Sequence, residues 1–329
     1  MVYQYGSVLG SQGPVVGPLK LISIVGVLLG GITWWSAEPT AQGAPVAAFT
    51  SSVDLVRVTA VVRDGRGRLV GDLTARDFEI LDDGERRHIS DFRHDSSGVS
   101  VALLFDASGS MAALMGQARE AAGHLLLALE SGRDEAAVFT FDTQLEEVAA
   151  FTSDLAGLPA RLDSVRPFGA TSLHDAIAKA AERSSLRPGR RRAVIVFTDG
   201  NDNFSRLTPG EVSGIASAID VPVYIVGLVS IVDDPAADIG AAPPGSPLSG
   251  ALSQLTMWTG GRTFVVSRPA QRSGVARQIV DELRHQYLMT FESSGAPGWH
   301  PLEVRARGRN LSVRARGGYL AGQSRPIWQ

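Results

Sequence analysis

The chain has 329 residues, 44% of them hydrophobic and 20% charged, with a formal net charge of −3. That balance can bury a core, which excludes wholesale disorder, and its slight acidity argues against a general nucleic-acid binder. With no Cys in the chain, thiol catalysis, disulfide scaffolds, lipid attachment at a cysteine and Cys-ligated zinc or iron–sulfur centres are all excluded.

Residues 21–35 read LISIVGVLLGGITWW, an uncharged apolar run behind Lys20. Its length suits a signal-peptide core and falls short of the roughly 20 residues that span a bilayer. Ala41-Gln42-Gly43 and Val46-Ala47-Ala48 offer cleavage sites, whereas Trp34 and Trp35 would suit a membrane interface if the segment stayed as an anchor. Residues 1–48 are therefore expected to be a signal peptide or membrane anchor plus linker. The protein is expected to be exported: periplasmic, secreted or anchored in the cell envelope.

Residues 49–97 read as a β-rich segment. Val56, Val58, Ala60 and Val62 alternate with Arg57, Thr59, Val61 and Arg63, and turns follow at Asp64-Gly65-Arg66-Gly67 and Asp83-Gly84. From residue 98 the pattern changes. Continuous apolar runs at 99–105, 136–141, 191–197, 221–228 and 262–266 are those of strands buried on both faces. Helical stretches at 112–130, 172–185, 209–219, 251–260 and 274–286 lie between and after them. This alternation over 98–286 predicts an α/β fold, a doubly wound and mainly parallel sheet, flanked by the β-rich module. Residues 230–249, rich in Pro, Gly and Ala, read as a surface insertion or a binding loop. After 286 the chain turns β again. Two strands joined through Gly308-Arg309-Asn310 are expected to form a half-buried hairpin, with Arg305, Arg307, Arg314 and Arg316 on a basic outer face. That face is either solvated or open to an anionic partner.

Chemistry concentrates at three places. Asp106-Ala107-Ser108-Gly109-Ser110 directly follows the strand at 99–105; Thr171 precedes a helix within Gly169-Ala170-Thr171-Ser172; Asp199 follows the strand at 191–197 within Thr198-Asp199-Gly200. In a parallel sheet all three fall at or beyond the carboxyl ends of strands, the edge where such folds take ligands. Asp106, Ser108, Ser110, Thr171 and Asp199 supply only oxygen, the donor that hard divalent cations prefer. Each residue also has a plain structural role open to it. Ser108, Ser110 and Thr171 could cap helices, and Asp199 could close an Asx turn. Asp202 and Asn203 extend the cluster as outer partners or as solvated groups.

D-x-S-G-S, a distant G-x-T and T-D-G after a buried strand together resemble the metal-ion-dependent adhesion site of von Willebrand factor type A (VWA) domains. The resemblance covers about residues 98–290. The flanks LVRVTAVVRDGRGRLVGDLTARDFEILDDG and RARGGYLA are similar to exported bacterial VWA-related proteins, described chiefly from Acidobacteria. His174 departs from the Tyr that many relatives carry and leaves the oxygen set intact. The resemblance implies Mg²⁺ at Asp106, Ser108, Ser110, Thr171 and Asp199, with Mn²⁺ or Ca²⁺ as substitutes, and a protein partner whose Asp or Glu completes the coordination without turnover. Two other functions share part of this pattern. A metal-dependent hydrolase or phosphohydrolase using an aspartyl nucleophile generally carries D-x-D, but Ser108 stands where the second carboxylate would be. A structural envelope protein would keep the fold and leave the metal incidental.

Overall fold

In the computed structural model, residues 55–94, 97–187, 189–218, 220–230, 246–308 and 310–321 are described. The apolar run at 21–35 and most of the 230–249 loop lie outside them. No helix among the described residues is long and apolar enough to cross a membrane.

The alternating stretch from Val56 to Arg63 forms β1 (Leu55–Arg63), followed by β2 (Phe78–Asp82), β3 (Glu85–Arg87) and β4 (Ile89–Arg93). The central unit then runs β5 (Val99–Asp106), α1 (Met115–Ala128), β6 (Glu135–Phe141), β7 (Leu145–Thr152), α2 (Leu158–Leu162), α3 (Leu173–Ser185) and β8 (Arg191–Thr198). It continues through α4 (Pro209–Ala218), β9 (Val223–Leu228), α5 (Ala251–Thr259), β10 (Thr263–Val266) and α6 (Pro269–Arg284). The chain closes with β11 (Tyr287–Glu292), β12 (Gly298–Ala306), β13 (Ser312–Ala315) and β14 (Gly318–Ala321).

The central sheet has the order β10-β9-β8-β5-β6-β7. Every pairing in it is parallel except β6 with the edge strand β7. Every residue of β5 is buried, because its alternate side chains enter two separate cores. Val99, Val101, Leu103 and Phe105 pack with residues of α1 and α6; Ala102 and Leu104 pack with residues of α3, α4 and α5. The sheet is thus doubly wound, as its continuous apolar runs predict. The chain leaves β5 for β6 on one side, and β8 leads to β9 and β10 on the other. The order therefore reverses between β5 and β8, which opens a crevice at their carboxyl ends.

Two four-stranded antiparallel sheets, β13-β1-β11-β4 and β14-β12-β2-β3, share a third core. Val56, Val58, Ala60 and Val62 line it from β1, Ile80 from β2, Met289 from β11 and Val304 from β12. Strands on both sides of the central unit in sequence contribute to each sheet.

The expected C-terminal hairpin forms only in part. The end of its second strand, β14, pairs antiparallel with β12, which also pairs with β2, whereas β13 crosses to pair with β1. The basic outer face is corrected with it. Arg305 is exposed and pairs with Glu303 on its own strand. Arg314 and Arg316 instead turn toward the central unit. Arg314 reaches the carbonyls of Gly260 and Gly261 at 2.8 and 2.6 Å and pairs with Glu282 of α6. Arg316, only 5% exposed, bonds the carbonyls of Ser217 and Arg57. Alternation identified the two faces of β13 correctly; it could not show that helices cover the charged one. Glu282 is fully buried and also takes Arg63 of β1 at 2.7 Å, so one carboxylate ties α6 to two strands of the neighbouring sheet.

Removing one side of such a buried charge cluster leaves uncompensated charge, which costs about 3 kcal/mol or more, whereas an exposed pair contributes ~0–1 kcal/mol. Glu282→Gln should therefore lower unfolding free energy in urea by about 3 kcal/mol, against less than ~1 kcal/mol for Glu303→Gln. Equal effects would contradict the ion cluster as the joint.

Candidate metal centre

The register of β5 against β8 sets the site. Phe105 lies opposite Phe197, so the next residues, Asp106 and Thr198, emerge side by side. The Thr198 hydroxyl donates to Asp106 Oδ2 at 2.6 Å, and the Ser108 amide donates to Oδ1 at 3.0 Å. Thr198 Oγ1 in turn accepts the Gly200 amide at 3.0 Å. Ser108 and Ser110 bring their hydroxyls within 3.1 Å of each other on the 3₁₀ turn Gly109–Ala113. D-x-S-x-S therefore gathers its oxygens at the end of β5 and on the turn that follows it. Gly109 is not what makes it tight: its φ is not positive, and a Cβ would meet only the Gly169 carbonyl at an ordinary 3.6 Å. The tight spots are Gly169 and Gly200, at φ +91° and +90°. A Cβ on Gly200 would also strike Leu248 at 2.8 Å.

The loop carrying Thr171 is pinned to the Asp106 turn by two backbone bonds, Phe168 N to Ala107 O at 2.6 Å and Gly109 N to Gly169 O at 3.1 Å. Thr171 itself is clamped by Asn203, whose Oδ1 accepts the Thr171 amide at 2.9 Å and whose amide donates to the Thr171 carbonyl at 3.1 Å. These bonds draw the three loops to one edge of the sheet. Asp106, Ser108 and Thr171 are buried there, Asp199 is half-buried and Ser110 is exposed.

The helix-cap alternatives find no support in the hydrogen bonds. Ser108 makes no side-chain cap, and α3 is preceded by Ser172, which also makes none. The Asx turn at Asp199 does form, with Oδ1 accepting the Asn201 amide at 3.0 Å. Asp202 ties its loop to the start of α3. It accepts the His174 ring Nδ1 at 2.7 Å and the backbone amides of His174 and Ser205. Burial pushes its carboxyl up, but the bonds from His174 and Ser205 outweigh that and hold it well below the usual range. Asp142 serves the next turn, accepting the Gln144 amide at 3.0 Å. The residue that sequence reasoning missed is Thr198. The signal was present, because it opens the Thr198-Asp199-Gly200 motif at the end of a buried strand.

Two carboxylates at one edge with no basic partner create an unmet demand for positive charge. Among the described residues, neither Asp106 nor Asp199 pairs with a Lys or Arg. Burial pushes the Asp106 carboxyl up to about 6, against the bonds from Ser108 and Thr198 and with a further push from the Asp199 charge. An oxygen-only donor set with two anionic members and no cation of its own fits a hard divalent ion.

Residues 101–201 match the family model of the von Willebrand factor type A domain, and the chain carries a domain of this family. Among solved structures the chain is similar to the conserved hypothetical protein BatB from Bacteroides thetaiotaomicron, at 20% identity and TM-score 0.46, covering 56% of this chain and 98% of that one. It is similar to von Willebrand factor type A from Catenulispora acidiphila at 13% identity and TM-score 0.45, covering 83% and 76%. It is also similar to the PilB minor pilin from Streptococcus sanguinis at 13% identity and TM-score 0.42, covering 59% and 63%. Comparison with curated proteins returns no match.

The raised Asp106 carboxyl makes a signed prediction for metal-free protein. Between the unfolded value near 3.8 and the folded value of about 6, the folded state holds a proton that the unfolded chain releases. The contribution to stability is full below about pH 4 and is lost as pH rises through about 6, by ~3 kcal/mol in all. Urea unfolding of metal-free protein should show this loss in the wild type and its absence in Asp106→Asn. Parallel pH profiles would contradict it.

Proposed function

We propose that the chain is an exported binding protein in which Asp106, Ser108, Ser110, Thr171 and Asp199 hold Mg²⁺, directly or through water. An Asp or Glu of a protein partner completes the coordination without turnover. Residues 98–286 form the binding domain in this reading. Residues 49–97 and 287–329 supply the β segments beside it, and residues 1–48 the leader or anchor. The bound ion supplies a positive centre for an incoming carboxylate. The protein's own groups hold that centre in place and shape what approaches it.

The observation that carries the reading is Asp106: fully buried, fixed by Thr198 and Ser108, beside a second carboxylate and without a basic partner among the described residues. The rim supports a macromolecular partner. Phe168 is 80% exposed and Phe204 is 56% exposed, and they sit on the loops that carry Thr171 and follow Asp199. Exposed aromatics around a charged centre are the composition of an interface core rather than of an inert surface. Ser108 bonds the Ser110 hydroxyl rather than a base, which favours binding over turnover in this reading.

Calorimetric titration should give saturable Mg²⁺ binding to the wild type and none at this site in Asp106→Ala. A displayed peptide library panned in Mg²⁺ should return sequences with an Asp or Glu that release on chelation. Replacing Phe168 and Phe204 by Ala should weaken their capture by roughly tenfold while leaving Mg²⁺ affinity unchanged. Chelator-resistant capture, or peptides without an acidic residue, would contradict the proposal.

A further inference from the structure

A second cluster of ligand atoms lies away from the central sheet, in the β module. Asp82 ends β2, Asp83 opens the turn to β3, and His300 lies on β12. One ligand atom from each falls within 4.8 Å of the others. His300 Nδ1 is 3.2 Å from Asp82 Oδ1 and 2.8 Å from Asp83 Oδ2. Asp82 and His300 are buried, at 0% and 3% exposure. Despite the short approach, Asp82 Oδ1 and His300 Nδ1 make no hydrogen bond.

The imidazole tautomer follows from its other side. His300 Nε2 lies 2.8 Å from the Ala296 carbonyl. A carbonyl only accepts, so Nε2 carries the hydrogen, and Nδ1 of the neutral ring presents a lone pair. Burial pulls the His300 imidazole down, but the Ala296 carbonyl and the Asp82 and Asp83 carboxylates outweigh it and hold the ring above its usual value. In the metal-free protein a proton is therefore the positive charge among these groups; the neutral ring brings three electron-pair donors to one point. Ligand atoms of a tetrahedral Zn²⁺ site stand about 3.3 Å apart when bonds are ~2.0–2.1 Å. The 3.2 Å between His300 Nδ1 and Asp82 Oδ1 matches that, and the exposed Asp83 side chain at 2.8 Å would draw back by about half an ångström.

The surroundings hold each donor in place. Asp82 Oδ2 is taken by Arg87 Nε at 3.1 Å and by the Tyr319 hydroxyl at 3.0 Å, which leaves Oδ1 facing the cluster. The His300 ring stacks on Tyr319 at 5.0 Å. The Asp83 amide donates to the Pro301 carbonyl at 3.0 Å, docking the turn against β12. Carbonyl-fixed imidazole and hydrogen-bonded carboxylate are the outer supports that metal ligands use. The Asp83 side chain is half exposed, giving an ion a path in and a water as fourth ligand.

We propose that Asp82, Asp83 and His300 bind a divalent transition ion of the zinc type, which clips the β2–β3 turn to β12. Imidazole separates this site from the oxygen-only one, because Mg²⁺ takes oxygen ligands and zinc accepts nitrogen.

The test is equilibrium dialysis of Zn²⁺ against the full chain in excess Mg²⁺, with thermal melting alongside. The wild type should bind one Zn²⁺ that survives Asp106→Ala. His300→Gln and Asp83→Asn should each weaken it at least tenfold. Zn²⁺ should raise the melting temperature of the wild type but not of Asp83→Asn. Asp83 is exposed and sits at φ 52°, a conformation Asn also adopts, so that variant keeps the fold even if His300→Gln does not. No Zn²⁺ binding by the wild type, binding unchanged in Asp83→Asn, or binding abolished by Asp106→Ala would each overturn the proposal.

Discussion

Burial of the Asp106 carboxylate at the end of a strand covered on both faces is the constraint on which the rest depends. Desolvating a charge is expensive unless something answers it. Thr198 and the Ser108 amide answer it in part. Thr198 can do so only because β5 and β8 are neighbours in register, and that pairing follows from winding the sheet in two directions. The same winding opens the crevice into which the Thr171 loop is drawn. Fold and site are therefore one arrangement: the apolar alternation that builds two cores around β5 also fixes where its last residue emerges.

Most of that arrangement is legible in the sequence. The run at 99–105 reads as a strand buried on both faces, and the structure gives Val99–Asp106. The stretch 251–260 reads as a helix with a glycine stop, and α5 ends at Gly260 in the left-handed region. The elements missed are those with weak pattern. β7 carries Glu146 and Glu147 on an edge and has no fully buried residue, so its composition resembles a loop. α6 begins at Pro269, five residues before the predicted start, because Pro at the first turn with Gln271 bonded back to the Arg268 amide makes a helix entry that apolar periodicity does not register.

The arginines of the last strands show a different limit. Arg314 and Arg316 alternate with Val313 and Ala315 as a solvated face would. Their side chains are nevertheless covered by the central unit and meet Glu282 and backbone carbonyls. A period of two separates the faces of a strand, and only the packing of distant segments decides which face meets water. His300 was unreadable for the same reason. Its partners Asp82 and Asp83 lie more than two hundred residues earlier, and no local spacing joins them.

The two clusters differ in the chemistry they offer, one built from carboxylate and hydroxyl oxygens at a crevice, the other from carboxylates and an imidazole inside a sandwich. The first carries the account of function. Its most direct test is anomalous diffraction from crystals grown with Mn²⁺. The account predicts a peak bounded by Asp106, Ser108, Ser110, Thr171 and Asp199, at coordination distance from their oxygens or from waters bound to them. A crevice without a peak, in crystals that hold Mn²⁺ elsewhere, would contradict it.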